Sequence, residues 1–308
     1  MDDAGRKADI SIFGRRRNVV AALGLLVVFW GSSFAVVEVG LRSSPPMLFA
    51  GLRSLLGGLA MLGVAVVWGG RPNLRREWRA FGVLAVFNVA VFIGLQTYAI
   101  SILPSGTAAV LVYLQPILVG FLAWISLGES LSVAKVAGLL LGFSGIAAVS
   151  LEGFSGSVPL VGVLFGAGSA LSWAIGTVYF KRVQERVSAL WSVAVPFVAG
   201  GAVLTALAAF TEPVGEVSWN SGAFLAALGW ASLFGIAAAW VIFFGLVGAG
   251  EASRVSSYIF VVPITAVAIG VVFLGEPLRA TLLVGAALVV GGIYLVNRSP
   301  GRKVGAGR

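Results

Sequence analysis

The chain has 308 residues, of which 59% are hydrophobic and only 11% charged, with a formal net charge of +9. A soluble domain carries about 25% charged residues, and a mean hydropathy of +1.01 excludes that class here. Cysteine and histidine are both absent, which excludes disulfides, thiol nucleophiles, haem ligation and Cys/His zinc sites.

Apolar runs near 20 residues recur along the whole length, each sufficient to cross a hydrocarbon core of ~30 Å. They are too continuously apolar to be the alternating ~10-residue strands of an outer-membrane barrel. The expected fold class is therefore an all-α polytopic membrane protein. Ten spans are expected, near residues 18–40, 46–68, 80–100, 104–126, 132–151, 159–180, 187–210, 220–247, 252–274 and 278–296. Residues 1–17 read as a cytoplasmic tail, because Arg15, Arg16 and Arg17 lead into the first span without a small-residue cleavage site. The organisation then reads as a first five-helix repeat over 18–151, a linker over 152–158, a second repeat over 159–297 and a second tail over 298–308.

The repeat is written most plainly in two stretches. LQPILVGFLAWISLGESL begins at Leu114 and VVPITAVAIGVVFLGEPL at Val261. Pro116, Gly128 and Glu129 match Pro263, Gly275 and Glu276 at one offset of 147, and the register continues through Gly138/Gly285 and Gly145/Gly292. Five spans per half is an odd number, so the second copy enters from the opposite side and the repeats are inverted, the plan of many secondary transporters.

Lys and Arg set the orientation. With a cytoplasmic N-terminus, eighteen of the twenty-one basic residues fall in inside segments, Arg42 and Arg279 lie outside, and Arg53 lies within a span. Both termini are expected in the cytoplasm of a bacterial inner membrane. Basic residues confined to short loops and tails are topology signals, so nucleic acid is not an expected partner. The expected partners are a small-molecule substrate and the lipid bilayer, with no obligatory protein partner, cofactor or metal.

Several residues carry paired expectations. Pro116 and Pro263 fall inside spans, where each removes a helical hydrogen bond and bends the helix; the kink either lines a cavity or is a packing feature. Gly138/Gly142 and Gly162/Gly166 read as close helix contacts. Gly128 and Gly275 should end helices in the left-handed conformation. Glu129 and Glu276 should then sit at the N-terminus of the helix that follows.

The first two spans read WGSSFAVVEVGL from Trp30 and PPMLFAGLRSLLGGLAML from Pro45. With the duplicated proline/Gly-Glu motif, this resembles the EamA-type transporters of the drug/metabolite transporter superfamily, and within them the YddG-type aromatic amino-acid exporters. The resemblance implies ten helices in two inverted repeats around a central substrate cavity, without fixing the substrate. It departs at Glu38, where that pattern commonly has a lysine.

Ionisable residues inside a membrane are costly and are functional candidates by default. Two qualify, Glu38 and Arg53. They are expected either to form a gating or structural ion pair near the outer mouth or, for Arg53, to meet a substrate carboxylate. Trp30 and Trp173 fall mid-span in equivalent helices, and an indole N–H at that depth must face a partner or a cavity. Trp68, Trp78, Trp124, Trp191 and Trp219 lie near span ends, where the aromatic belt accounts for them. Ser33, Tyr98, Tyr113, Thr177 and Tyr258 complete the substrate-binding candidates, each equally able to bond a neighbouring helix. Such a lining suits small amphipathic metabolites, aromatic or other neutral amino acids foremost.

An intramembrane enzyme would need a nucleophile with a base or metal, and no lysine lies mid-span. A channel would want a ring of charges. Export by alternating access is the expectation, as a uniport, because no carboxylate or histidine sits near the midplane to carry a coupling ion. A proton-coupled antiporter is the alternative.

Overall fold

Several helices begin or end at residues whose chemistry favours a terminus. The computed structural model describes residues 16–103, 105–150, 159–274 and 280–298, which are helical with no strand among them. Helix α1 (Arg16–Leu41) is followed by α2 (Pro46–Trp68), which opens on a proline in its first turn, where the missing N–H costs nothing. Asn73 caps α3 (Leu74–Leu84), its side chain accepting from the Arg76 N–H at 3.3 Å. A wide π-helical turn at Ala85–Val91 leads into α4 (Phe92–Ile102) without a break in the chain's direction. After α5 (Ser105–Val112) and α6 (Gln115–Leu127), Gly128 adopts φ +66° and ends the run. Helix α7 (Val133–Ser150) follows.

The second half repeats the sequence of shapes. It contains α8 (Leu160–Val183), α9 (Ala189–Thr211, capped by Ser188) and α10 (Gly222–Trp230, capped by Ser221). A second π-helical turn at Ala231–Ala238 joins α10 to α11 (Ala239–Ala249). Then come α12 (Ala252–Tyr258), α13 (Val261–Leu274) and α14 (Ala280–Arg298). By length and composition, eight helices among the described residues can cross a membrane, with Val133–Ala148 a shorter apolar ninth.

The expected mid-span kinks are breaks. Tyr113 and Leu114 form a turn between α5 and α6, and Ile259 and Phe260 one between α12 and α13. Pro116 and Pro263 therefore stand in the first turns of α6 and α13, not inside continuous helices. A proline is most easily accommodated there, because a first-turn N–H has no helical partner to lose.

The halves interlock through glycines. A Cβ on Gly58 would lie 2.5 Å from the Val198 nitrogen, and Gly201 faces Leu55 just as closely, so α2 and α9 touch backbone to backbone. Gly51 meets Thr205 along the same seam. As the numbers rise along α2 they fall along α9, which makes the pair antiparallel. Helices α7 and α14 do the same, with Gly138 against Gly292 and Gly145 against Gly285. With no hydrophobic drive between helices in lipid, such small-residue seams let dispersion do the holding. Gly142 receives the Phe260 ring, while Gly162 and Gly166 receive Leu103 and Leu111.

Carboxylates tie the halves together at both ends. Glu212, just past α9, accepts from the Met47 and Leu48 N–H groups of α2, both at 2.9 Å, and from the Tyr98 hydroxyl. Glu129 does the equivalent at the opposite end, where α6 finishes. It accepts from the Ala252 N–H at 2.7 Å and from the Ser253 N–H and hydroxyl, so it caps α12, 123 residues away, and not the helix that follows it. Short-range reasoning could not supply that partner. Lys135, fully buried, completes the knot by donating to Glu251 at 3.1 Å and to the Ser130 carbonyl, with Glu129 3.6 Å away. Glu276 and Gly275 lie outside the described residues.

Trp68, Trp78, Trp124 and Trp219 are exposed, as a belt requires. Trp191 differs. It is 7% exposed, and its indole N–H donates to the carbonyls of Gly69 and Gly70, pinning the α2–α3 connection. The nearby glycines leave two carbonyls without helical donors, and this indole satisfies them.

Candidate functional site

At the waist of the bundle, where α1, α4, α8 and α11 meet, large aromatic side chains converge. Trp30 and Trp173 meet edge to face, with ring centroids 5.2 Å apart and planes at 86°. Phe92 stacks on Trp173 at 4.9 Å, and Trp240 lies 5.9 Å from Trp30 and from Phe92. Each such pair adds about 0.5–1.5 kcal/mol beyond its buried area. The Trp30 indole donates to the Gly235 carbonyl at 3.1 Å, within the second π-helical turn. A π turn leaves carbonyls without their usual partner, so this wide turn faces a donor able to use it.

A cavity opens beside this cluster. Its walls include Trp30, Ser33, Phe34, Phe92, Trp173 and Trp240, and its polar side is formed by Arg53, Gln96 and Tyr113. About 40 Å³ is open to water-sized molecules, room for little more than solvent. Any larger solute requires the rings to part.

Arg53 is 4% exposed. Through Nη2 it donates to Thr97 Oγ1 at 2.9 Å and to Gln96 Oε1 at 3.3 Å. Its Nε has no partner, and among the described residues no carboxylate lies within 4.0 Å of it. The expected pairing with Glu38 is not formed. Glu38 is exposed and bonds Arg42 at 3.3 Å, one helical turn further along α1. The i,i+4 neighbour lies on the same face of α1, whereas Arg53 on α2 turns inward towards α4. The Trp173 indole nitrogen, the Gln115 carbonyl oxygen and both amide atoms of Asn88 are also buried without partners.

Four of the seven candidate binding residues, Trp30, Ser33, Tyr113 and Trp173, line this cavity. Three lie elsewhere. Tyr98 donates to Glu212, Thr177 accepts from Gln115 Nε2 at 3.3 Å, and Tyr258 donates to Asn297 at 3.0 Å. Trp240, 1% exposed, is the main residue that sequence reasoning missed. The signal existed, because the repeat offset of 147 maps Ile93 onto Trp240 and both line the cavity.

The family model for EamA-like transporters matches the chain twice, over residues 18–151 and again over 160–298. The chain belongs to this family. It is a multi-pass membrane transporter, not an enzyme. An uncharacterized transporter of Bacillus subtilis, YvbV, is 42% identical over 92% of this chain and 93% of its own length. A probable amino-acid metabolite efflux pump of Escherichia coli is 25% identical, covering 91% of this chain and 94% of that protein. The E. coli inner membrane transporter YedA, also uncharacterized, is 30% identical over 90% of this chain and 89% of its own. A crystal structure with 22% identity superposes with a TM-score of 0.77 over 91% of this chain and 96% of that one, a likeness of fold.

Proposed function

We propose that the chain exports small amphipathic metabolites, aromatic and other neutral amino acids foremost, by alternating access around the aromatic cavity. The observation that carries this is the Trp30–Trp173 contact: the two residues stand in corresponding helices of the two halves and wall one cavity at their junction. Substrate between repeats is where a rocking transporter needs it. Ten spans in two inverted five-helix repeats is the topology of this reading. The antiparallel crossings of α2 on α9 and α7 on α14 support it, as does the name of the E. coli efflux pump for the substrate class.

The carboxylate clasps at Glu212 and Glu129 then act as seals on opposite faces, one released as the other closes. Both termini lie in the cytoplasm of a bacterial inner membrane on this reading, in line with the basic loops. Transport is a uniport, supported by a cavity wall without Asp or Glu among the described residues.

The test is counterflow in proteoliposomes with a labelled aromatic amino acid. Trp30→Ala and Trp173→Ala should each raise the apparent KM or abolish exchange while the protein still inserts. Normal exchange by both variants would move the site elsewhere. Uphill accumulation under an imposed pH gradient would replace the uniport with the proton-coupled antiporter.

A further inference from the structure

Burying a guanidinium costs several kcal/mol unless something compensates it, and in the membrane interior such a residue normally finds a counter-charge. Arg53 has two neutral acceptors, Gln96 and Thr97, and both use the same nitrogen, Nη2. Its Nε stays unpaired, and the cavity it lines offers it no acid among the described residues. Trp173, across the cavity, keeps a second unpaired N–H. The polar side of this cavity is thus rich in donors and carries one uncompensated positive charge. Its other walls are flat aromatic rings.

We propose that Arg53 is the anchor for the substrate's carboxylate, and that the site takes monocarboxylates with a compact aromatic or branched apolar body. This rests on the reading that the aromatic cavity is the transport site. The unpaired Nε–H offers a carboxylate one charge-assisted hydrogen bond, aimed by a planar guanidinium in a way that a flexible ammonium would not reproduce. Gln96 and Thr97 hold the guanidinium through Nη2 and leave the Nε–H for a carboxylate that enters as the rings part.

The same geometry makes a second demand. An α-ammonium would enter beside the like charge of Arg53 with no acid among the described lining residues to receive it, so it should not strengthen binding. The carboxylate is what the site reads in an amino acid, and an aryl carboxylate lacking the amine should be held at least as well. Ser33 and Tyr113 are neutral and serve either class.

Three probes separate these terms: 3-phenylpropionate, phenylalanine and phenylalaninamide. Each is measured on the purified full chain by thermal shift, and as a competitor of counterflow where exchange is seen. The expected order of affinity is 3-phenylpropionate equal to or above phenylalanine, with phenylalaninamide at least tenfold weaker. Arg53→Gln should weaken 3-phenylpropionate at least tenfold and leave phenylalaninamide unchanged. Arg53→Lys, which keeps the charge without the fork, should fall between. The comparison of probes on the unaltered protein stands even if a variant fails to fold. Equal binding of amide and acid overturns the anchor, as does failure of every probe to bind. If acid binding survives both Trp30→Ala and Trp173→Ala, it is the cavity assignment that fails; if it is lost in those variants but kept in Arg53→Gln, the cavity stands and the anchor falls.

Discussion

Helices α2 and α9 are the same element used twice, with opposite contents at one position. Both run 23 residues, and both carry a glycine pair, Gly57-Gly58 and Gly200-Gly201, at matching places. Gly58 and Gly201 form the seam between them. Gly57 and Gly200 each receive a π-helical turn of the other half, at Ser232 and Ile236 in one case and at Ala85 and Val89 in the other. One turn before the glycines, α2 has Arg53 where α9 has Pro196, both buried. The duplicated backbone builds the scaffold, and the departure from duplication supplies the charge. Symmetry serves packing here, and on the anchoring role proposed for Arg53 the asymmetry serves recognition.

The sharpest way to break the symmetric part is to fill its seam. Gly58→Leu and Gly201→Leu should be about equally damaging, each costing roughly 3 kcal/mol or more, since the obstacle is backbone that cannot repack. The yield of monodisperse protein in detergent is the readout, and an effect confined to one half would refute the equivalence. The asymmetric part should answer differently. Arg53→Met should abolish carboxylate transport yet raise thermal stability, by about 1–3 kcal/mol, because an uncompensated buried charge is replaced by an apolar side chain of similar length. Pro196→Ala should leave transport intact. Loss of stability in Arg53→Met would show that Gln96 and Thr97 suffice to compensate the guanidinium.

The two clasps offer a gentler comparison. Glu212→Gln and Glu129→Gln should each lose about 1 kcal/mol of capping and loosen only their own end. In this cysteine-free chain, single cysteines at Ser43 and at Ser130 can report this by maleimide labelling in open membranes. Glu212→Gln should speed the first and Glu129→Gln the second, and crossed effects would deny them separate roles. The smallest change expected is Trp191→Phe, which removes two hydrogen bonds at the α2–α3 connection and should lower stability by about 1 kcal/mol without altering transport.

Much of this was legible beforehand because helices in lipid declare themselves by apolar length, and because a repeat is arithmetic. Depth alone pointed to Trp30 and Trp173, both of which line the cavity; the Trp30 N–H is placed on the Gly235 carbonyl, whereas that of Trp173 stays unpaired. The Glu38–Arg53 pairing failed because similar depth does not fix which way a side chain faces, and Arg42 was a closer partner for Glu38. The partner of Glu129 was hidden by 123 residues of intervening chain. Trp240 escaped because its mate in the other half is an isoleucine, so identity across the repeat gave no hint, although register did.

The two π-helical turns have a rotational consequence. An α-helix advances about 100° per residue, from 3.6 residues per turn, and a π turn accommodates one residue more. Everything beyond it is swung round the helix axis relative to an unbroken α-helix. Beyond Ala85–Val91 lie Phe92, Ile93 and Gln96; beyond Ala231–Ala238 lies Trp240. Rewinding either turn as α-helix with all its residues kept would carry those side chains about a quarter-turn off the cavity. The wide turn in each half thus keeps the aromatic wall aimed inward.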